Sequence, residues 1–267
     1  SISKRVKVDV PIVGNVKDVL KELIAQYEAA AKDASAQQKS LAAWWEQVEA
    51  WRGRNCLSFA QSDEVIKPQS VVQKLWEVTR GDAFITSDVG QHQMWAAQHY
   101  KYNHPRSWIS SGGLGTMGYG FPAAIGAALA KPDRDVVCIT GDGGFQMCSF
   151  ELATAVEYKI PIKIAIMNNN CLGMVRQWQQ LFFENRTSYS VFGKNNPDFV
   201  KMAEAYGAVG MRATNPAEMQ DVLKKAMAIK DGPVLMDFSV VETENCYPMV
   251  PSGAALNEMV ESDEECK

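Results

Sequence analysis

The chain has 267 residues, 46% apolar and 22% charged, with a formal net charge of −4 and a pI near 5.5. That composition excludes a disordered chain, suits one large α/β domain with appendages, and leaves no broad cationic surface for a nucleic acid. The six cysteines, Cys56, Cys138, Cys148, Cys171, Cys246 and Cys266, form no C-x-x-C pair or zinc spacing, no apolar run is long enough to cross a membrane, and no signal-peptide core opens the chain, so a reducing, cytoplasmic setting without a membrane partner is expected.

In chain order, Val6 to Val13 reads as a short strand, and Asn15 opens a helix whose apolar positions Val16, Val19, Leu20, Leu23, Ile24 and Tyr27 recur at helical spacing. So short a strand and helix cannot close a core, and residues 1–32 are expected to be the C-terminal remnant of a middle domain whose earlier part precedes Ser1. Residues 33–67 read as a connector with a helix, because Lys32 to Lys39 is polar and rich in Ala, Ser and Gln and Leu41 to Arg52 carries three tryptophans at intervals that suit a helix.

From Pro68 the pattern alternates. Helices are expected near Gln69 to Thr79, Met117 to Ala130 and Phe150 to Tyr158, and after Leu172, Pro197 and Pro216. Strands are expected at Ala83 to Ser87, Val136 to Thr140, Ile162 to Met167 and Val234 to Ser239. This rhythm over 68–241 predicts an α/β fold, a doubly wound and mostly parallel sheet with helices on both faces, in which ligands bind beyond the carboxyl ends of the strands. Residues 242–267, with Pro248, Pro251 and an acidic end, read as a C-terminal arm on the surface or over a site.

Two glycine-rich loops compete as sites. Gly113-Leu-Gly-Thr-Met-Gly118 satisfies G-x-G-x-x-G, but His104 to Ser111 before it makes a poor buried central strand, and a ribose-binding acid in the place of Asp142 needs no bare backbone after it. Close packing of a loop on a helix is the better reading of those glycines. The second loop gains from a third. Asp142, between Gly141 and Gly143-Gly144, follows one apolar strand directly, and Asn168-Asn169-Asn170 follows the next, so both emerge at one edge of a parallel sheet. Each loop alone could be a helix cap or a turn. Together, a carboxylate, an amide carbonyl and a backbone carbonyl are hard oxygen ligands that suit octahedral magnesium, and the uncovered N–H groups of Gly143 and Gly144 at a helix start favour an anion.

These residues resemble the magnesium and diphosphate motif of the thiamine-diphosphate enzymes, and Ile125-Gly126, Pro132, Val137 and Ile139 fall at the spacings of that superfamily's wider signature. The resemblance implies that Asp142, Asn169 and the Cys171 carbonyl hold Mg²⁺ and that the Gly90-Gln91-His92 turn approaches the diphosphate. Met117 would be the residue on which the cofactor folds, with Gly115, Gly141, Gly143, Gly144 and Met174 as further cofactor-binding positions. Met117 also has an ordinary packing reading.

Gly173-Met-Val-Arg-Gln-Trp-Gln-Gln180 and the tail Tyr247-Pro-Met-Val-Pro-Ser-Gly253 are similar to the acetolactate synthase family, as are Trp95, Trp108 to Ser111, Gly115 to Pro122 and the opening Val8 to Gly14. That resemblance implies decarboxylation of pyruvate and transfer of its two-carbon unit to a second 2-keto acid, pyruvate or 2-ketobutyrate, in branched-chain amino-acid biosynthesis. Met174, Val175 and Trp178 would line the acceptor pocket, with the tail folded over it. Met174 and Trp178, four residues apart on one helix face, also read as packing positions. No catalytic glutamate is assigned: in the family it comes from the N-terminal domain of a partner subunit, and FAD lies mostly in a middle domain. The implied partners are that missing domain, further copies in a homodimer or tetramer, and a regulatory subunit. The alternatives are another thiamine-diphosphate decarboxylase or carboligase, such as one acting on glyoxylate, and a non-catalytic cofactor-binding or assembly domain.

Overall fold

The computed structural model describes residues 2–30 and 34–262, which leaves Cys266 outside the described residues. The chain divides into two units, Ser1–Asn55 and Cys56–Lys267, so the division falls ahead of Pro68.

The first unit holds two helices, α1 (Val16–Ala30) and α2 (Ala34–Gly53). Asn15 caps α1, its side-chain oxygen accepting from the Lys17 N–H at 3.0 Å. Two expectations fail here. Val6 to Val13 forms no strand: its side chains are exposed, and no neighbouring strand satisfies its backbone. The polar stretch is helical from Ala34, since Ala, Gln and Lys are good helix formers even without an apolar stripe.

The second unit is built on six parallel strands in the order β2-β1-β3-β4-β6-β5, namely β1 (Phe84–Ser87), β2 (Trp108–Ser110), β3 (Val136–Gly141), β4 (Ile162–Asn168), β5 (Val209–Ala213) and β6 (Val234–Ser239). The central strands are runs of Val and Ile because both faces are covered. Val137, Ile139, Ala165, Met167 and Met236 point into one core, which is closed by α3 (Pro68–Thr79), α4 (Gln91–His99) and α10 (Pro216–Ala228). Val136, Cys138, Ile162, Ile164 and Ile166 point into a second core, closed by α5 (Gly120–Ala130), α6 (Asp142–Gln146), α7 (Leu152–Glu157) and α9 (Phe199–Tyr206). The fold is therefore the doubly wound α/β class expected.

Local chemistry explains most boundaries. Pro68 and Pro216 open their helices, where a missing N–H costs nothing, and the Asn215 side chain accepts from the Glu218 N–H while Glu218 accepts from the Thr214 N–H. Helix α5 starts at Gly120 rather than Met117, because Gly115 and Gly118 take φ of +68° and +83°, outside any right-handed helix. The helix expected at Phe150 begins as a 3₁₀ turn over Ser149–Glu151. Strands β2 and β5 and helix α4 have no counterpart among the expected elements. Strands β2 and β5 are short edges, and the buried face of α4 is carried by Gln91 and His92 as well as Trp95 and Ala96, which hides its periodicity.

Candidate functional site

The carboxyl ends of β1, β3 and β4 carry the loops singled out above. Because β3 and β4 pair in parallel, with Gly141 beside Met167, the Asp142 and Asn169 loops leave the sheet side by side. Between them and the start of α4 lies a cavity of about 200 Å³. Its lining brings together Gly90, Gln91, His92, Gly115, Met117, Gly141, Asp142, Gly143, Gly144, Asn169, Cys171, Met174 and Val175. Trp178 is not among the lining residues: it lies further along α8 (Gly173–Phe182), 38% exposed, its ring 5.3 Å from that of Phe182. Residues 247–253 do not line the cavity either.

Asp142 is 1% exposed, and Asn169 5%. Burial pushes the Asp142 carboxyl up to about 6, although the Gly143 N–H at 2.9 Å and the Asn196 amide at 2.8 Å both favour its charge. Such a carboxylate is stabilised by a cation. Among the described residues no three His, Cys, Asp or Glu side chains cluster as a metal site. A cation here would therefore draw on one carboxylate together with amide and backbone oxygens, a donor set that fits a hard ion.

Several participants were not assigned from the sequence. Asp88, at the end of β1, hydrogen-bonds His92 Nε2 through Oδ1 and accepts from the Gly118 N–H and the Thr140 hydroxyl through Oδ2. Burial opposes its charge, but His92, that backbone N–H and the hydroxyl outweigh it, and the carboxyl titrates below its usual range. As an acceptor, Asp88 fixes His92 with its proton on Nε2 and the ring edge against the loops. The glycines make room for this pair: a Cβ at Gly144 would lie 2.1 Å from Asp88 Oδ2, and one at Gly141 would lie 2.9 Å from His92 Nδ1. Asn196, whose Nδ2 lies within 3.3 Å of Asp142, Asn168 and Asn170, ties the two loops from a third segment. Asp88 was legible as another acid just past a strand, whereas nothing local marks Asn196. The packing expected of the G-x-G-x-x-G loop holds only at Gly118, whose Cβ would meet Met147 at 3.1 Å; Gly113 and Gly115 face open space. That loop follows an edge strand, which leaves it without the central-strand setting of a dinucleotide fold.

Residues 244–249 dock against α4, α8 and the start of α3. Glu244 pairs with Lys67 at 2.6 Å and accepts from Gln69, Arg176 donates to the Glu244 carbonyl and to Asn245, and Gln98 donates to the Tyr247 carbonyl. No helix among the described residues is long and apolar enough to cross a membrane.

Residues 88–238 match the family described as thiamine pyrophosphate enzyme, C-terminal TPP binding domain. The chain is 47% identical over 260 residues to the acetolactate synthase large subunit of Haemophilus influenzae, covering 97% of this chain and 45% of that protein. It is 45% identical over 262 residues to the acetolactate synthase isozyme 3 large subunit of Escherichia coli, with the same coverage. A probable acetolactate synthase large subunit from Methanococcus aeolicus is 44% identical over 272 residues, 99% of this chain and 45% of that protein. The chain thus spans a little under half the length of these relatives.

Proposed function

Because the chain belongs to the thiamine pyrophosphate (thiamine diphosphate) enzymes, we propose that it is the cofactor-binding part of an acetolactate synthase large subunit, acting on pyruvate and a second 2-keto acid, pyruvate or 2-ketobutyrate. The observation that carries the reading is the convergence of Asp142, Asn169 and Cys171 at neighbouring strand ends on a glycine-lined cavity, together with the names of the relatives.

In this reading Asp142, Asn169 and the Cys171 carbonyl hold Mg²⁺, and Gly144 near the start of α6 offers its backbone N–H to the diphosphate, while the Gly143 N–H is taken by Asp142 Oδ1 and Gly143 contributes an uncovered backbone. Thiamine diphosphate bound here would supply a nucleophilic carbon and an electron sink for decarboxylation. The protein's own contribution is placement and exclusion of water. Met117 would support the cofactor from the cavity wall, the Asp88–His92 pair holds the Gly90 turn against the Gly141 loop, and Met174 and Val175 would give the acceptor an apolar wall. Trp178, one turn further along α8 and outside the cavity lining, is the residue this reading assigns to acceptor choice. FAD is assigned no residue of this chain.

The proton-shuttling glutamate would come from the N-terminal part of a second copy, so the active form is a homo-oligomer, with a regulatory subunit as a further partner. Leu129 on α5, Met147 and Phe150 are more than half exposed, and such apolar side chains suit a covered face. A cytoplasmic site accords with the five described cysteines all being free thiols. The test is acetolactate formation from pyruvate with thiamine diphosphate and Mg²⁺, for the chain alone and complemented with the N-terminal part of a relative. Product is expected on complementation; none with pyruvate but turnover of glyoxylate would replace the substrate assignment.

A further inference from the structure

A primary amide has two ends of nearly equal size, one that donates and one that accepts, and a cation takes only the oxygen. At a buried asparagine the neighbouring hydrogen bonds decide which end faces the cation.

The deciding contacts at Asn169 can be followed back to backbone groups whose polarity is fixed. Gln177 on α8 accepts from the Cys246 N–H at 2.9 Å and donates to the Cys246 carbonyl at 3.0 Å, so its amide stands one way round. Its Oε1 also accepts from Gln91 Nε2 at 2.8 Å, and the same nitrogen donates to the Glu244 carbonyl at 2.9 Å. Both hydrogens of Gln91 Nε2 are thereby used. Gln91 Oε1 is left facing Asn169, and Asn169 Nδ2 donates to it at 3.3 Å. With its nitrogen held, Asn169 keeps Oδ1 for the cation. Gln91 and Gln177 are 2% exposed and Asn169 5%, so water does not compete. Gly173, the first residue of α8, stands where the two amides meet: a Cβ there would lie 2.1 Å from Gln91 Oε1 and 2.6 Å from Asn169 Nδ2.

We propose that the C-terminal arm, through the backbone of Glu244 and Cys246, sets the amide polarity of Asn169 by way of Gln177 and Gln91, which makes Gln177 a positioning residue for the metal although it does not line the cavity. The inference rests on the reading of Asn169 as a ligand. It makes the arm a condition of metal uptake rather than only a cover.

Gln177→Met keeps length and apolar bulk but neither accepts nor donates in this relay. Gln98→Ala removes an arm tether outside the relay and controls for mere loosening. The first measurement is the side-chain amide NMR spectrum of the metal-free, nitrogen-labelled chain, with the Asn169 signal identified by its loss in Asn169→Asp. That signal is expected to be protected from exchange in the parent and in Gln98→Ala, and unprotected or doubled in Gln177→Met. The second is calorimetric titration of Mg²⁺ in the presence of thiamine diphosphate. Affinity should fall about tenfold in Gln177→Met, stay near the parent value in Gln98→Ala, and fall no further when Gln177→Met is added to Gln91→Met. An unchanged Asn169 signal in Gln177→Met, or equal loss of affinity in Gln98→Ala, overturns the proposal. Absence of magnesium uptake by the parent chain counts against the ligand reading alone, because the metal-free spectrum still decides the relay. If Gln177→Met does not fold, Gly173→Ala, which crowds the same two amides without touching the arm, must give the same spectral change.

Discussion

The two ends of the paired strands β3 and β4 place buried polar groups in opposite circumstances. At the carboxyl end, Asp142 and Asn169 face a cavity, and burial drives the Asp142 carboxyl up to about 6. At the amino end, Lys163 is equally buried, and burial, helped by nearby Lys230, drives its amine down to about 8. Yet Lys163 lines none of the described cavities, and it donates to the Ile229 carbonyl at 2.6 Å with the Pro161 carbonyl at 3.4 Å. A buried, shifted charge is therefore not by itself a site. The carboxyl end is the candidate because several loops converge there on a cavity, while the amino end uses its charge to satisfy carbonyls.

The sharpest way to break this contrast is to remove the charge at each end. Asp142→Ala should weaken magnesium-dependent binding of thiamine diphosphate by more than about 100-fold in calorimetry; retained binding would place the metal elsewhere. Next in size, Gly144→Ala forces a methyl onto Asp88, and about 1–3 kcal/mol of stability should be lost in chemical denaturation. A stability equal to that of the parent would mean that the Asp88–His92 pair is not held against this loop.

At the other end, Lys163→Met should be neutral or stabilising, since it replaces a buried charge with a side chain of similar volume. The pH dependence has a definite sign. The folded amine titrates near 8 and the unfolded one near 10.4, so between those values the unfolded state binds more protons and stability rises with pH. Subtracting the Lys163→Met profile from that of the parent should isolate this rise; a flat difference from pH 8 to 10 would contradict it. The smallest effect is expected at Trp178. In the complemented enzyme, Trp178→Leu should lower the preference for 2-ketobutyrate over pyruvate about tenfold with little change in total turnover. Equal loss with both acceptors would make Trp178 a packing residue.

The sequence by itself determined the class of the fold and singled out two loops that converge on the cavity. Long Val- and Ile-rich runs such as 136–140 and 162–167 declare buried parallel strands, and a rule of parallel sheets then draws the eye to Asp142 and Asn169 just beyond them. Local signals also marked the helix starts at Pro68 and Pro216. What only the tertiary structure decided rests on contacts between segments distant in sequence. Strands β2 and β5 exist because neighbouring strands pair with them, not because Trp108–Ser110 or Val209–Ala213 has a pattern of its own. The strand read at Val6 to Val13 fails for the converse reason, a suitable composition without a partner. Asn196 meets Asp142 across 54 residues, and Gln91 meets Glu244 across 153. Periodicity reports how a segment presents itself to a core, and it holds no information on which distant amide will supply the other half of a hydrogen bond.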